Sequence, residues 1–250
     1  MRTIRTPSGV RTRAKPSIFS ILVLVMKKII LICALALCSL GLLIFMTTQK
    51  VPEAPTNAPD EQPESAMGSE GTILAFGDSL TAGYGLSQSQ SYPSQLKETL
   101  RRLGYDYEVI NAGLSGDTST GAVNRINFSL QDNPDIVIIT IGGNDFLRGL
   151  PADEFKSNLE ILVERSQAAG ARVVIAALQA PENLGSDYAR QFNQAYTEVS
   201  QAYDTELIPF FLEGVALESE LNLDDGIHPN EQGYAKIVEN NVLPIIEPLL

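Results

Sequence analysis

Ile136-Val137-Ile138-Ile139-Thr140-Ile141-Gly142-Gly143-Asn144-Asp145 is the stretch whose reading decides the fold. Its first six positions are apolar or β-branched in succession, without the alternation expected of a strand that faces water on one side. Such a run reads as a strand covered on both faces, the kind found in parallel sheets. The same pattern returns at residues 173–178, and residues 73–76, 107–110 and 206–210 are further short apolar runs. Between them the apolar positions take helical spacing: Tyr92, Leu96, Leu100 and Leu103; Val123, Ile126 and Leu130; Phe155, Leu159, Leu162 and Val163; Phe192, Tyr196, Val199 and Tyr203. Strands alternating with helices predict one doubly wound α/β domain over residues 72–250, a parallel sheet with helices on both faces. No internal repeat is present.

In open parallel sheets, ligands bind beyond the carboxyl ends of the strands. The residues able to carry chemistry fall there: Ser79 after the first run, residues 111–116 after the second, 142–145 after the third, 179–185 after the fourth and 225–228 beyond the fifth. They are expected to converge on one rim.

Ahead of this domain the composition changes. Residues 1–50 carry eight basic and no acidic side chains, and residues 29–46 hold no charge. As a helix those eighteen residues would measure roughly 27 Å, near the thickness of a bilayer core. Lys27 and Lys28 precede them, so Met26 reads as an alternative start, residues 1–49 as a basic segment plus signal or anchor, and the body as exported. An uncleaved anchor, associating the protein with the inner membrane, is the expectation. Residues 50–71, with Pro52, Pro55, Pro59 and Pro63 among acids, read as an extended linker.

From Thr72 onward there are 10 basic and 25 acidic residues, a net charge of −15 that repels nucleic acid and anionic bilayers. Cys33 and Cys38 both lie in the apolar segment, so the body has no thiol. With His228 as its single histidine, a transition-metal site of ordinary ligand type is not expected, while residue counts leave an all-oxygen magnesium or calcium site open.

Ser79 stands in Gly77-Asp78-Ser79-Leu80, and His228 in Asp225-Gly226-Ile227-His228-Pro229. A serine hydroxyl needs a base to take its proton, and the imidazole needs an acid to fix its tautomer. Asp225 suits that last role, with Asp224 as neighbouring competitor. The backbone N–H groups of Ser79 and Gly113 and the side-chain amide of Asn144 are candidate donors to an oxyanion. Each piece also has a plainer explanation: Asp78-Ser79 as a helix cap, the Asn-Gly stretches as turns, Asp225 as partner of a structural histidine. Their occurrence together favours a serine hydrolase. Thr81 replaces the second glycine of a G-x-S-x-G elbow, which disfavours an ordinary α/β-hydrolase.

Gly77-Asp78-Ser79-Leu80, Gly113 within residues 111–118, Gly142-Gly143-Asn144-Asp145 and Asp225-Gly226-Ile227-His228-Pro229 together resemble the four blocks of the GDSL or SGNH hydrolase family. The resemblance covers essentially all of residues 72–250. It implies a flavodoxin-like three-layer α/β/α fold with a five-stranded parallel sheet, Ser79 as nucleophile and oxyanion donor, Gly113 and Asn144 as the other donors, His228 as base, Asp225 as its partner, and no cofactor or metal. Within the family, Gly116-Asp117-Thr118-Ser119, residues 143–149, Pro209-Phe210-Phe211 and the run around His228 resemble the exported bacterial branch of acyl-CoA thioesterases, lysophospholipases and arylesterases. The implied substrates are small-molecule esters and lipids. Leu147, Leu150, Pro181 and Leu184 are expected to wall an acyl chain, and no basic residue stands near Gln179 to greet a phosphate-rich leaving group. An acetyl esterase on polysaccharide or peptidoglycan is one alternative, and an inactive lipid- or anion-binding module another. A monomer is expected.

Overall fold

The computed structural model describes residues 69–250. The basic segment, the apolar run 29–46, Met26 and both cysteines lie outside the described residues, as does all but the end of the linker.

Five strands form one sheet: β1 (Gly71–Gly77), β2 (Tyr107–Gly113), β3 (Ile136–Thr140), β4 (Arg172–Ala176) and β5 (Glu206–Ile208). All neighbours pair in parallel, in the order β2-β1-β3-β4-β5. This is the flavodoxin-like order, with its crevice where connections leave β1 and β3 in opposite directions. The helices are α1 (Ser79–Ala82), α2 (Tyr92–Leu103), α3 (Ser119–Ser129), α4 (Gly143–Leu147), α5 (Ala152–Ala168), α6 (Ser186–Tyr203), α7 (Glu231–Ile237) and α8 (Leu243–Ile246), with a π-helical turn, Val238–Val242, ahead of the last. α3 packs on α5 and α5 on α6, while α2 packs on α7. Every residue of β3 is buried, as the unbroken apolar run requires.

The boundaries depart from the sequence reading in places that bear on the site. β1 takes in Gly71, one residue before the expected domain start, because a glycine there can lie against the Tyr107 ring. β2 runs through Asn111, Ala112 and Gly113, which pair with Ala75, Phe76 and Gly77; the segment expected as a turn is the last rung of the sheet. β4 stops at Ala176, short of Leu178. β5 ends at Ile208, since Pro209 has no N–H for the ladder; the chain still follows β4 past it, with Phe211 N–H donating to the Ala177 carbonyl at 2.8 Å. Leu103 is exposed rather than core, at the last turn of α2 before the left-handed Gly104 cap.

Candidate active site

The nucleophile candidate is presented by the end of β1. A side chain at Gly77 would collide with the Thr140 carbonyl and the Thr81 hydroxyl, so β1 can run this close to β3 only with glycine there. Arg125, from α3, holds the strand ends: Nη2 donates to the Gly77 carbonyl and Nη1 to the Ala112 carbonyl, each at 2.8 Å. Its Nε pairs with Asp117 at 2.7 Å, and the guanidinium lies 4.0 Å over the Phe76 ring. Asp78 then caps α1, its Oδ1 accepting the Leu80 N–H at 3.0 Å. Ser79 is the first residue of that one-turn helix, where a backbone N–H has no intrahelical acceptor and remains available to a ligand. The capping explanation and the catalytic one are thus compatible.

The base candidate comes from the far end of the chain. Leu223 N–H donates to the His228 carbonyl at 2.8 Å, closing a short loop in which Gly226 takes φ 68°. That left-handed glycine lets Asp225 fold back: its Oδ1 accepts the N–H groups of Ile227 (2.9 Å) and His228 (3.0 Å), and its Oδ2 lies 2.7 Å from His228 Nδ1. Asp225, not Asp224, holds the ring. These hydrogen bonds, the Ile227 N–H foremost, hold the Asp225 carboxyl down to about 2, against the opposing effect of desolvation. A carboxylate on Nδ1 places the ring proton there and leaves Nε2 as acceptor. Nε2 lies 2.8 Å from Ser79 Oγ. Tyr84, whose place here nothing in the sequence marked, sets its ring 4.6 Å from the imidazole.

The remaining donor candidates flank Ser79. Gly113 sits where any side chain would strike the backbone of Thr81 and Ala82, and its N–H donates to Asn111 Oδ1 at 3.0 Å. An oxyanion at this position would share or take over that hydrogen bond. Asn144 lies in α4, where Gly142, at φ 122°, turns beneath Tyr196 and Phe155. Tyr196 donates to the Ile141 carbonyl at 2.8 Å, and Phe155 stacks on Phe192 at 4.1 Å, a rigid floor for the turn. Asp145, buried, accepts the Ser119 hydroxyl and N–H at 2.5 and 2.9 Å, tying α4 to α3; burial raises its carboxyl pKa. Asn144 Nδ2 faces Asp78 Oδ2 at 3.4 Å. Burial pushes the Asp78 carboxyl up to about 6, partly offset by the Leu80 N–H, the His228 charge and the Asn144 amide.

Beside this set opens a cavity of about 920 Å³. Leu147 and Pro181 line it as the sequence implies, but Leu150 and Leu184 do not. Gly149, at φ 65°, redirects the chain, and the Leu150 carbonyl is taken up by the Tyr188 hydroxyl at 2.7 Å. Leu184 ends the exposed 3-10 turn Glu182–Leu184. The wall comes instead from Phe146 and Leu178 and from a loop after β5 that brings Phe210, Leu212 and Leu217. The aromatic Pro209-Phe210-Phe211 run was the one sequence signal for that loop.

The model of the GDSL-like lipase/acylhydrolase family matches residues 75–236. Esterase TesA of Pseudomonas aeruginosa is 40% identical over 180 residues, 72% of this chain and 89% of the relative. An arylesterase of Vibrio mimicus is 38% identical, over 67% of the chain and 84% of the relative. Thioesterase 1/protease 1/lysophospholipase L1 of Escherichia coli K12 is 35% identical, over 67% and 80%. A crystal structure of TesA superposes with a TM-score of 0.68 at 40% identity, covering 72% of this chain and 99% of that one.

Proposed function

Since the chain belongs to the GDSL-like lipase/acylhydrolase family, we propose that it hydrolyses carboxylic esters and thioesters, including aryl esters, acyl esters and lysophospholipids, through an acyl group carried on Ser79. It is an ester hydrolase. The observation that carries the mechanism is the continuous line from Ser79 Oγ through His228 Nε2 and Nδ1 to Asp225 Oδ2, with contacts of 2.8 and 2.7 Å.

As Ser79 Oγ attacks the carbonyl carbon, His228 Nε2 takes its proton, and the imidazolium gains from the Asp225 carboxylate against Nδ1. The carbonyl oxygen, now an anion, is met by the N–H groups of Ser79 and Gly113 and by the Asn144 amide. Such donors are worth roughly 3 kcal/mol each where one has been removed. Collapse of the tetrahedral adduct expels the alcohol or thiol, protonated by His228, and water repeats the sequence on the acyl-serine. The acyl or aryl group occupies the cavity beside Leu147 and Pro181. The names of the relatives, which cover esterase, arylesterase, thioesterase and lysophospholipase, support this range.

Residues 29–46 carry the domain out of the cytoplasm and hold it at the membrane in this reading, supported by the Lys27-Lys28 pair and the uncharged run behind it. The mechanism is tested by turnover of p-nitrophenyl esters of rising chain length and of lysophosphatidylcholine by the wild type and Ser79→Ala. Retained activity in the alanine variant would remove Ser79 as nucleophile.

A further inference from the structure

The described surface does not scatter its bare apolar side chains. Six exposed large hydrophobics follow the carboxyl ends of the strands: Tyr84, Leu114, Leu147, Leu184, Leu217 and Ile227. Four of these, Tyr84, Leu147, Leu217 and Ile227, line the catalytic cavity. The other two of this class, Leu103 and Phe128, end α2 and α3, at the opposite edge where strands begin. A ring of apolar tips around a cavity mouth is the arrangement that marks an interaction surface.

Leu217 carries two costs at once. It is 93% exposed, and its φ of 67° places a residue with a β-carbon in the left-handed region. Strain of this sort persists where the surroundings impose it, and here they do. Asn222 Nδ2 donates to the Val215 and Glu218 carbonyls at 2.7 and 2.8 Å, Lys236 to the Gly214 carbonyl at 2.8 Å, and Asn241, from the π-helical turn, to the Phe211 and Glu213 carbonyls at 3.0 and 3.1 Å. A braced loop therefore offers a leucine outward beside the mouth. Among the residues lining the cavity, Asp78, Glu182 and Glu213 are acidic, with Asp78 buried at its base, and none is Lys or Arg.

We propose that this rim docks on a zwitterionic phospholipid surface. Leu147, Leu217 and Ile227 enter the boundary between headgroups and acyl chains, and Glu182 and Glu213 face the ammonium of choline or ethanolamine headgroups. The net charge of −15 on the domain excludes an anionic surface as the preferred partner. Lipid acyl esters then pass from the aggregate into the cavity without crossing water. This goes beyond the hydrolase reading, and its test needs no turnover.

The test uses the full chain with Ser79→Ala, Cys33→Ser and Cys38→Ser, carrying one further cysteine, Leu217→Cys or Phe128→Cys, labelled with a fluorophore that aqueous iodide quenches. Any membrane affinity of residues 29–46 acts equally on both. With phosphatidylcholine vesicles, quenching is expected to be lost at position 217 and kept at position 128. Ile227→Cys provides a second rim position should the loop label perturb folding, and is expected to behave as 217 does. Equal quenching at rim and reference positions overturns the proposal. So does equal protection by phosphatidylglycerol vesicles, which would remove the headgroup pairing. Loss of quenching at 217 without lipid, together with a dimer in sedimentation, would assign the rim to a second copy of the chain.

Discussion

Asp78 and Asn144 meet behind the nucleophile, the buried carboxylate of one lying 3.4 Å from the amide nitrogen of the other. An amide nitrogen has two hydrogens. With one directed at Asp78, the other is left for the oxyanion of the proposed mechanism, and the side chain is kept from turning its oxygen towards Asp78 instead. The arrangement orients a donor at the cost of burying an acid.

That cost sets a pH dependence. The folded Asp78 carboxyl, at about 6, lies above its unfolded value of 3.8, so its ionisation destabilises the fold. The penalty is absent below about pH 4, grows as pH rises through 6 and is complete above it, at roughly 3 kcal/mol. Asp78→Asn removes this dependence. Denaturant unfolding of both proteins at about pH 4 and about pH 7 should show the variant gaining on the wild type as pH rises, by up to roughly 3 kcal/mol. A pH-independent difference would mean that Asp78 does not titrate in this range.

Asp225 works in the opposite sense. Its folded carboxyl, at about 2, lies below its unfolded value, so its contribution to stability is present above about pH 4 and lost as pH falls through 2. Asp225→Asn should unfold less steeply in that acid range. In turnover the asparagine disfavours the tautomer that leaves Nε2 free, and kcat should fall by roughly 10³- to 10⁴-fold. Activity within tenfold of wild type would show that another group orients His228.

Arg125→Met removes the guanidinium from over Phe76 and leaves the mostly buried Asp117 without its cation and the Gly77 and Ala112 carbonyls without their donor. Breaking a buried ion pair by removing one partner costs about 3–5 kcal/mol. Thermal unfolding should report a loss of that order, with kcat falling because the ends of β1 and β2 carry Ser79 and Gly113. Asp117→Asn added to it should recover part of the stability.

Leu217→Gly removes the β-carbon from the left-handed position, a relief of roughly 1–2 kcal/mol. Glycine's larger unfolded-state entropy offsets about 0.4–1 kcal/mol of it. The variant should therefore unfold at a slightly higher temperature than wild type. A lower one would show that the exposed leucine packs on something that stabilises the loop.

β3 and β4 were legible because a parallel strand buried on both faces has to be apolar throughout, and the turn after β3 was legible because it has to admit glycine. Residues 136–145 meet both demands in sequence order. The placement of Asn111-Ala112-Gly113 was not legible, because asparagine and glycine are poor strand formers. That rung exists through contacts distant in sequence, the Arg125 fork and the bare α-carbons of Gly77 and Gly113 side by side. The cavity wall was half legible. Leu147 and Pro181 follow strand ends directly, whereas Tyr84 and Leu217 arrive through loops whose path depends on the Gly83 and Gly85 turns and on the braces from Asn222, Lys236 and Asn241. Leu150 and Leu184 show the converse, apolar residues in suitable segments turned aside by one backbone angle or one hydrogen bond.

The hydroxyl and the imidazole that touch are 149 positions apart, and the sheet joining them fills the interval. Polypeptide is made from its amino end. The serine therefore emerges long before the ring it touches, and under the proposed mechanism the emerging chain stays inert towards esters until the βα units between them have docked. Esterase turnover in a partly synthesised or stalled chain would thus serve as a clock for completion of the fold.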